Sequence, residues 1–79
     1  MGRALNDLGN AYVAAGDVSN AIDTLREAVE VNRSSGGRGL GRVLNDLGNA
    51  YVAAGDMSNA IDTLREAVKL QPGGAKGRG

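Results

Sequence analysis

An all-α fold of two stacked helical hairpins, four helices in all, is predicted by three observations. The first is internal repetition: LNDLGNAYVAAGD runs from Leu5 to Asp17 and returns unchanged from Leu44 to Asp56. It lies inside a longer repeat, because Gly2 to Val31 matches Gly41 to Leu70 everywhere except at Ala4/Val43, Val18/Met57, Glu30/Lys69 and Val31/Leu70, a period of 39 residues (41 − 2). A period of about 20 to 50 residues marks supersecondary units that bury their apolar faces on one another. The second is spacing: apolar residues within each unit fall at steps of three and four, the helical interval. The third is that no segment alternates apolar and polar residues, or concentrates β-branched ones, as a strand requires.

The first helix is expected over about residues 2 to 15, with Leu5, Leu8, Tyr12 and Ala15 on one stripe and Arg3, Asn6, Asp7 and Asn10 opposite. A glycine inside a helix costs about 1 kcal/mol relative to alanine, so Gly9 and its repeat Gly48 point to close approach of a neighbouring helix. Gly16 ends the first helix, and Asp17 can accept backbone hydrogen bonds at the start of the second. That second helix, about 18 to 32, buries Val18, Ala21, Ile22, Leu25, Ala28 and Val29 and turns Asp23, Arg26, Glu27 and Glu30 outward. Arg26 and Glu30 are spaced for an i,i+4 pair worth about 0.2 to 0.5 kcal/mol. The third and fourth helices, about 40 to 54 and 57 to 71, repeat the pattern. SSGGRGLG between the units holds four glycines in eight residues and reads as an unstructured connector able to act as a hinge. The chain thus divides into a first repeat over 1–33, a Gly-rich linker over 34–40, a second repeat over 41–72 and a disordered Gly-rich tail over 73–79.

Composition narrows the function. A 79-residue chain builds one small core worth about 3 to 5 kcal/mol of net stability unless disulfides, metal or association add to it. With neither cysteine nor histidine in the chain, disulfides are excluded and no metal or cofactor is expected. Nine basic residues balance nine acidic ones, so no long-range field favours nucleic acid or an anionic membrane as partner. There is no leader-like apolar segment at the start, no run near the roughly 20 residues a membrane span needs, and no cysteine, which together fit a cytoplasmic setting. Catalysis is not expected: Ser19, Ser34, Ser35, Ser58, Thr24 and Thr63 have no histidine to activate them, and Asp23/Glu27 and Asp62/Glu66 read as solvated charge on helix surfaces.

The residues Leu5, Leu8, Gly9, Tyr12, Ala21, Leu25 and Ala28, with Leu44, Leu47, Gly48, Tyr51, Ala60, Leu64, Ala67 and Pro72 in the second unit, resemble the tetratricopeptide repeat pattern W-x2-L-G-x2-Y, A-x3-F, P. Leu stands at the Trp and Phe positions, Arg33 stands where the first unit would carry its Pro, and the period is 39 rather than about 34 residues, the long-period type. The resemblance implies a short right-handed solenoid of helical hairpins that binds a protein or peptide ligand and carries no catalysis. It also implies a concave groove lined by the first helices, with Arg3, Asn6, Asn10, Val13, Arg42, Asn45, Asn49 and Val52 facing it. Asparagine amides offer a donor and an acceptor to the backbone of an extended peptide. Without the resemblance, the same polar residues read as a solvated face, with Arg3–Asp7 and Arg42–Asp46 as i,i+4 pairs.

A second class of function remains beside the groove: a structural or engineered repeat unit, an array fragment or a duplicated hairpin, whose main partner is itself. Near identity of the units fits recent duplication or design, and KGRG near the C-terminus echoes GGRG in the linker. The apolar strip of the fourth helix, Ile61 and Val68, is expected to lack a covering helix, so a homo-oligomer is expected, by head-to-tail stacking or by hairpin (domain) swapping.

Overall fold

The computed structural model of the protein describes residues 2–37 and 39–70, which form four α-helices: α1 (Gly2–Ala14), α2 (Val18–Ser34), α3 (Leu40–Ala53) and α4 (Met57–Leu70). Helices α1 and α2 form one hairpin and α3 and α4 the other, and α2 packs against α3 to join them, with α1 touching α3 along a shorter contact. Among the described residues there is no strand, and no helix is long and apolar enough to cross a membrane. The expected helices are therefore all present. Helix α2 runs on to Ser34, and the expected Gln71 end of the fourth helix, Pro72 and the tail 73–79 lie outside the described residues.

Each hairpin turn is made by a glycine that the sequence repeats. Gly16 has φ 82° and Gly55 φ 80°, the left-handed region where a side chain is disfavoured. The flanking hydrogen bonds, Gly16 N to Val13 O at 3.0 Å and Asp17 N to Tyr12 O at 2.9 Å, form the Schellman arrangement that closes the last turn of a helix. The second hairpin repeats it with Asp56 N to Tyr51 O at 2.9 Å. Asp17 then accepts from the backbone and side-chain nitrogens of Asn20 at 3.4 and 2.7 Å, and Asp56 does the same for Asn59 at 3.3 and 2.7 Å. One residue thus stops a helix and the next starts another, which is why three residues suffice for the reversal.

The segment between the hairpins is more ordered than its glycines suggest. Ser34 still belongs to α2; Ser35 Oγ donates to Val31 O at 2.9 Å, Gly37 N to Asn32 O at 2.7 Å and Leu40 N to Gly37 O at 3.0 Å. Leu40 is itself buried in the core. Where it is described, the connector is a hydrogen-bonded turn docked on the core, not the unstructured hinge that composition suggests.

The core runs through the middle of the stack: Ala21, Leu25, Ala28 and Val29 from α2 meet Leu40, Val43, Leu44, Leu47 and Ala50 from α3. Gly9 lets α1 approach α2 closely, since a Cβ built on it would lie 2.5 Å from Leu25 Cγ, and Gly48 stands in the same relation to Leu64. The expected close approach at both glycines is thus present. The stripe expected on α1 is only partly covered: Leu5 and Tyr12 are half-buried, whereas Leu8 and Ala15 are exposed. Asn6, expected on the outer side, is buried. Nothing in the chain covers the face of α1 that carries Leu8 among the described residues, while α3 covers the side that carries Asn6. The expected pairs Arg26–Glu30, Arg3–Asp7 and Arg42–Asp46 do not form; among the described residues the one ion pair is Arg33 to Glu66, at 2.8 Å, between α2 and α4.

Candidate functional site

Where α1 and α3 lie side by side they leave an open cleft of about 700 Å³. Arg3, Asn6, Asp7 and Asn10 form the α1 wall, spaced at the three- and four-residue steps that put them on one face. Arg42, Val43 and Asp46 form the α3 wall, and Asn32 from α2 with Gly39 closes one side. Asn10 Nδ2 donates to Asp46 Oδ2 across the cleft at 3.2 Å, a bond that ties the two hairpins together on the polar side.

Asn6 is the feature that packing does not explain. Its side chain is buried, and Oδ1 has no hydrogen-bond partner. A buried acceptor left unpaired costs about 1 to 3 kcal/mol, so native chains pair such groups or use them. Two arginines and two aspartates share the cleft with three asparagines, which gives it no net charge and a dense set of donors and acceptors. Such a surface suits the alternating N–H and C=O groups of an extended backbone better than it suits a phosphate or a metal. Among the described residues no group of three or more Asp or Glu side chains is arranged to hold a metal ion. A second hollow, lined by Asp62, Arg65, Glu66, Lys69 and Leu70, belongs to α4 alone and has no facing wall from another described helix.

Of the eight residues expected to face a groove, the cleft brings together Arg3, Asn6, Asn10 and Arg42. Val13 is half-buried and packs against the core, and Asn45, Asn49 and Val52 lie exposed on α3 outside the cleft. Sequence reasoning missed Asp7, Asp46, Asn32, Gly39 and Val43 as lining residues. The aspartates were legible only as counter-charges to the arginines one turn away, and Asn32 joins the cleft because α2 extends past it.

A family model described as the tetratricopeptide repeat matches residues 1–72. Neither the curated proteins nor the solved structures give a match to this chain.

Proposed function

The chain belongs to the tetratricopeptide repeat family, whose repeats serve in general as protein-interaction scaffolds and not as enzymes, and on that premise we propose that its α1–α3 cleft takes an extended peptide segment of a partner protein. The observation that carries this reading is the buried, unpartnered Oδ1 of Asn6 at the cleft wall. Oδ1 is closed off from solvent in the free chain, so a peptide N–H donates to it once the Asn6 side chain turns toward the cleft, while Arg3 and Arg42 can receive a carbonyl or an acidic side chain. The balance of nine basic and nine acidic residues favours protein over nucleic acid as the partner.

A peptide-array screen followed by calorimetry on the strongest binder tests the proposal. Asn6→Ala is expected to weaken binding about tenfold, the equivalent of one hydrogen bond of about 1.4 kcal/mol. The same change is expected to leave thermal stability unchanged or raised, because the orphaned acceptor contributes nothing to folding. Asn45→Ala, outside the cleft, is expected to leave affinity unaltered in the isolated monomer. A peptide whose affinity ignores Asn6→Ala would show that the cleft is not the site.

A further inference from the structure

The two ends of the described stack are copies of the two sides of its middle. In the contact between hairpins, α2 contributes Ile22 and Val29, and α3 contributes Val43, Leu47 and Ala50. One period away the same face of α4 carries Ile61 and Val68, and the same face of α1 carries Ala4, Leu8 and Ala11. Only Ala4 for Val43 changes residue type. The burial differs greatly: Val29 is 7% exposed and Val68 59%, Leu47 6% and Leu8 47%. Because the local sequences match, the difference isolates what the neighbouring helix covers. The outer face of α4 therefore has the shape and chemistry that α3 accepts from α2, and the outer face of α1 has those that α2 accepts from α3.

We propose that α4 of one copy packs on α1 of a second copy in the geometry of the α2–α3 contact, so that the chain stacks head to tail. The occupant of both faces is another molecule of this chain, because the contact inside the molecule already shows the two surfaces fitting. A heterologous contact of this kind uses different patches on the two partners and so propagates unless the rotation closes.

The polar side of the contact repeats as well. Shifted by one period, the Asn10–Asp46 hydrogen bond becomes a bond from Asn49 to Asp7 of the next copy, and Asn45 moves into the buried position that Asn6 holds. Stacking thus rebuilds the polar cleft at the junction from Arg42, Asn45 and Asn49 of one molecule and Arg3 and Asp7 of the next. The residues left outside the cleft in a single chain acquire a place in it. This assembly stands whether or not the cleft takes a peptide.

The junction is weaker than its internal template. Ala4 fills less space than Val43, no covalent connector holds the helices together, and the place of Arg33 in the Arg33–Glu66 ion pair falls on Pro72. The association is accordingly concentration-dependent.

Sedimentation velocity from about 10 μM to about 1 mM, the range of weak specific contacts, reads the proposal directly. The average mass is expected to rise from the 8.0 kDa of one chain past that of a dimer. Leu8→Glu blocks the α1 face, and Ile61→Lys with Val68→Glu blocks the α4 face; each is expected to remain monomeric. Mixed in equal amounts, the two variants leave one intact face each and are expected to form a heterodimer that grows no further. All three positions are exposed, so helix content by circular dichroism is expected to be unchanged, and Ala11→Glu blocks the same α1 face should Leu8→Glu disturb the fold. A wild-type chain that stays monomeric to about 1 mM overturns the proposal. So does a Leu8→Glu variant that still dimerises, which is the mark of an α4-to-α4 contact or a hairpin swap, and so does a mixture of the variants that fails to associate.

Discussion

Helices α2 and α4 share the sequence NAIDTLREAV, over residues 20–29 and 59–68, yet they have different surroundings. Helix α2 is packed between α1 and α3; α4 packs on α3 and reaches α2 only through the Arg33–Glu66 ion pair. Leu25 is fully buried where Leu64 is half-buried, and Val29 is buried where Val68 is exposed. The local features, in contrast, are the same in both hairpins to within 0.1 Å: the aspartate caps, the glycine turns and the glycine-to-leucine approach. Local structure follows the residues themselves, and burial follows position in the stack. In a repeat protein, stability is therefore a sum of intrinsic terms that repeat and interface terms that do not.

Paired substitutions at matched positions separate those terms, each measured by chemical denaturation. The largest difference is expected for Leu25→Ala against Leu64→Ala. The first empties a fully enclosed site and is expected to cost about 3 kcal/mol or more, enough to unfold much of a chain this small; the second opens onto solvent and is expected to cost about half as much. Equal costs would mean that α3 does not shield α2 as described.

A smaller difference is expected for Gly9→Ala against Gly48→Ala. In both, the new methyl meets a leucine at 2.5 Å, and the overpacking penalty of about 1 to 3 kcal/mol opposes a helix-propensity gain of about 1 kcal/mol. Leu25 is hemmed in and cannot move away, so Gly9→Ala is expected to destabilise by about 1 kcal/mol. Leu64 can swing outward, and Gly48→Ala is expected to be near neutral. A reversed order would contradict the burial asymmetry.

The smallest difference is expected at the caps. Asp17→Ala and Asp56→Ala each remove a backbone hydrogen bond and one to an asparagine side chain, at matching distances. Each is expected to cost about 1 kcal/mol, with the two values alike within error. Unequal costs would show that the caps feel the stack and are not local devices.

Much of this architecture was legible in the sequence because it is local. The repeat period, the stripe of α2, the stop at Gly16, the cap at Asp17 and the close approach at Gly9 each depend on residues within one helix or one hairpin. What escaped depends on which helix lies next. Periodicity places Leu8 on the apolar side of α1 and Asn6 on the polar side, but coverage depends on the neighbours: α2 and α3 both lie against α1, and no described helix lies against the face that carries Leu8. Leu8 is consequently exposed, and Asn6 is buried beneath the α1–α3 contact. The cleft was half legible for the same reason: Arg3, Asn6, Asn10 and Arg42 share the walls between two helices, whereas Asn45 and Asn49, identical in type, have no described helix beyond them in a single chain. The Arg33–Glu66 pair could not be read from spacing at all, since its partners are 33 residues apart.

Amide hydrogen exchange in dilute solution tests most directly whether identical sequence acquires unequal stability from its neighbours. Leu25 and Ala28 sit in the same local sequence as Leu64 and Ala67, so their intrinsic exchange rates match and any difference in protection reports structure alone. We expect the α2 amides to be protected at least about tenfold more than their α4 counterparts, a gap of about 1.4 kcal/mol, because α4 is covered on one side only and can open without unfolding the rest. Equal protection at these matched amides, or greater protection in α4, would contradict that asymmetry.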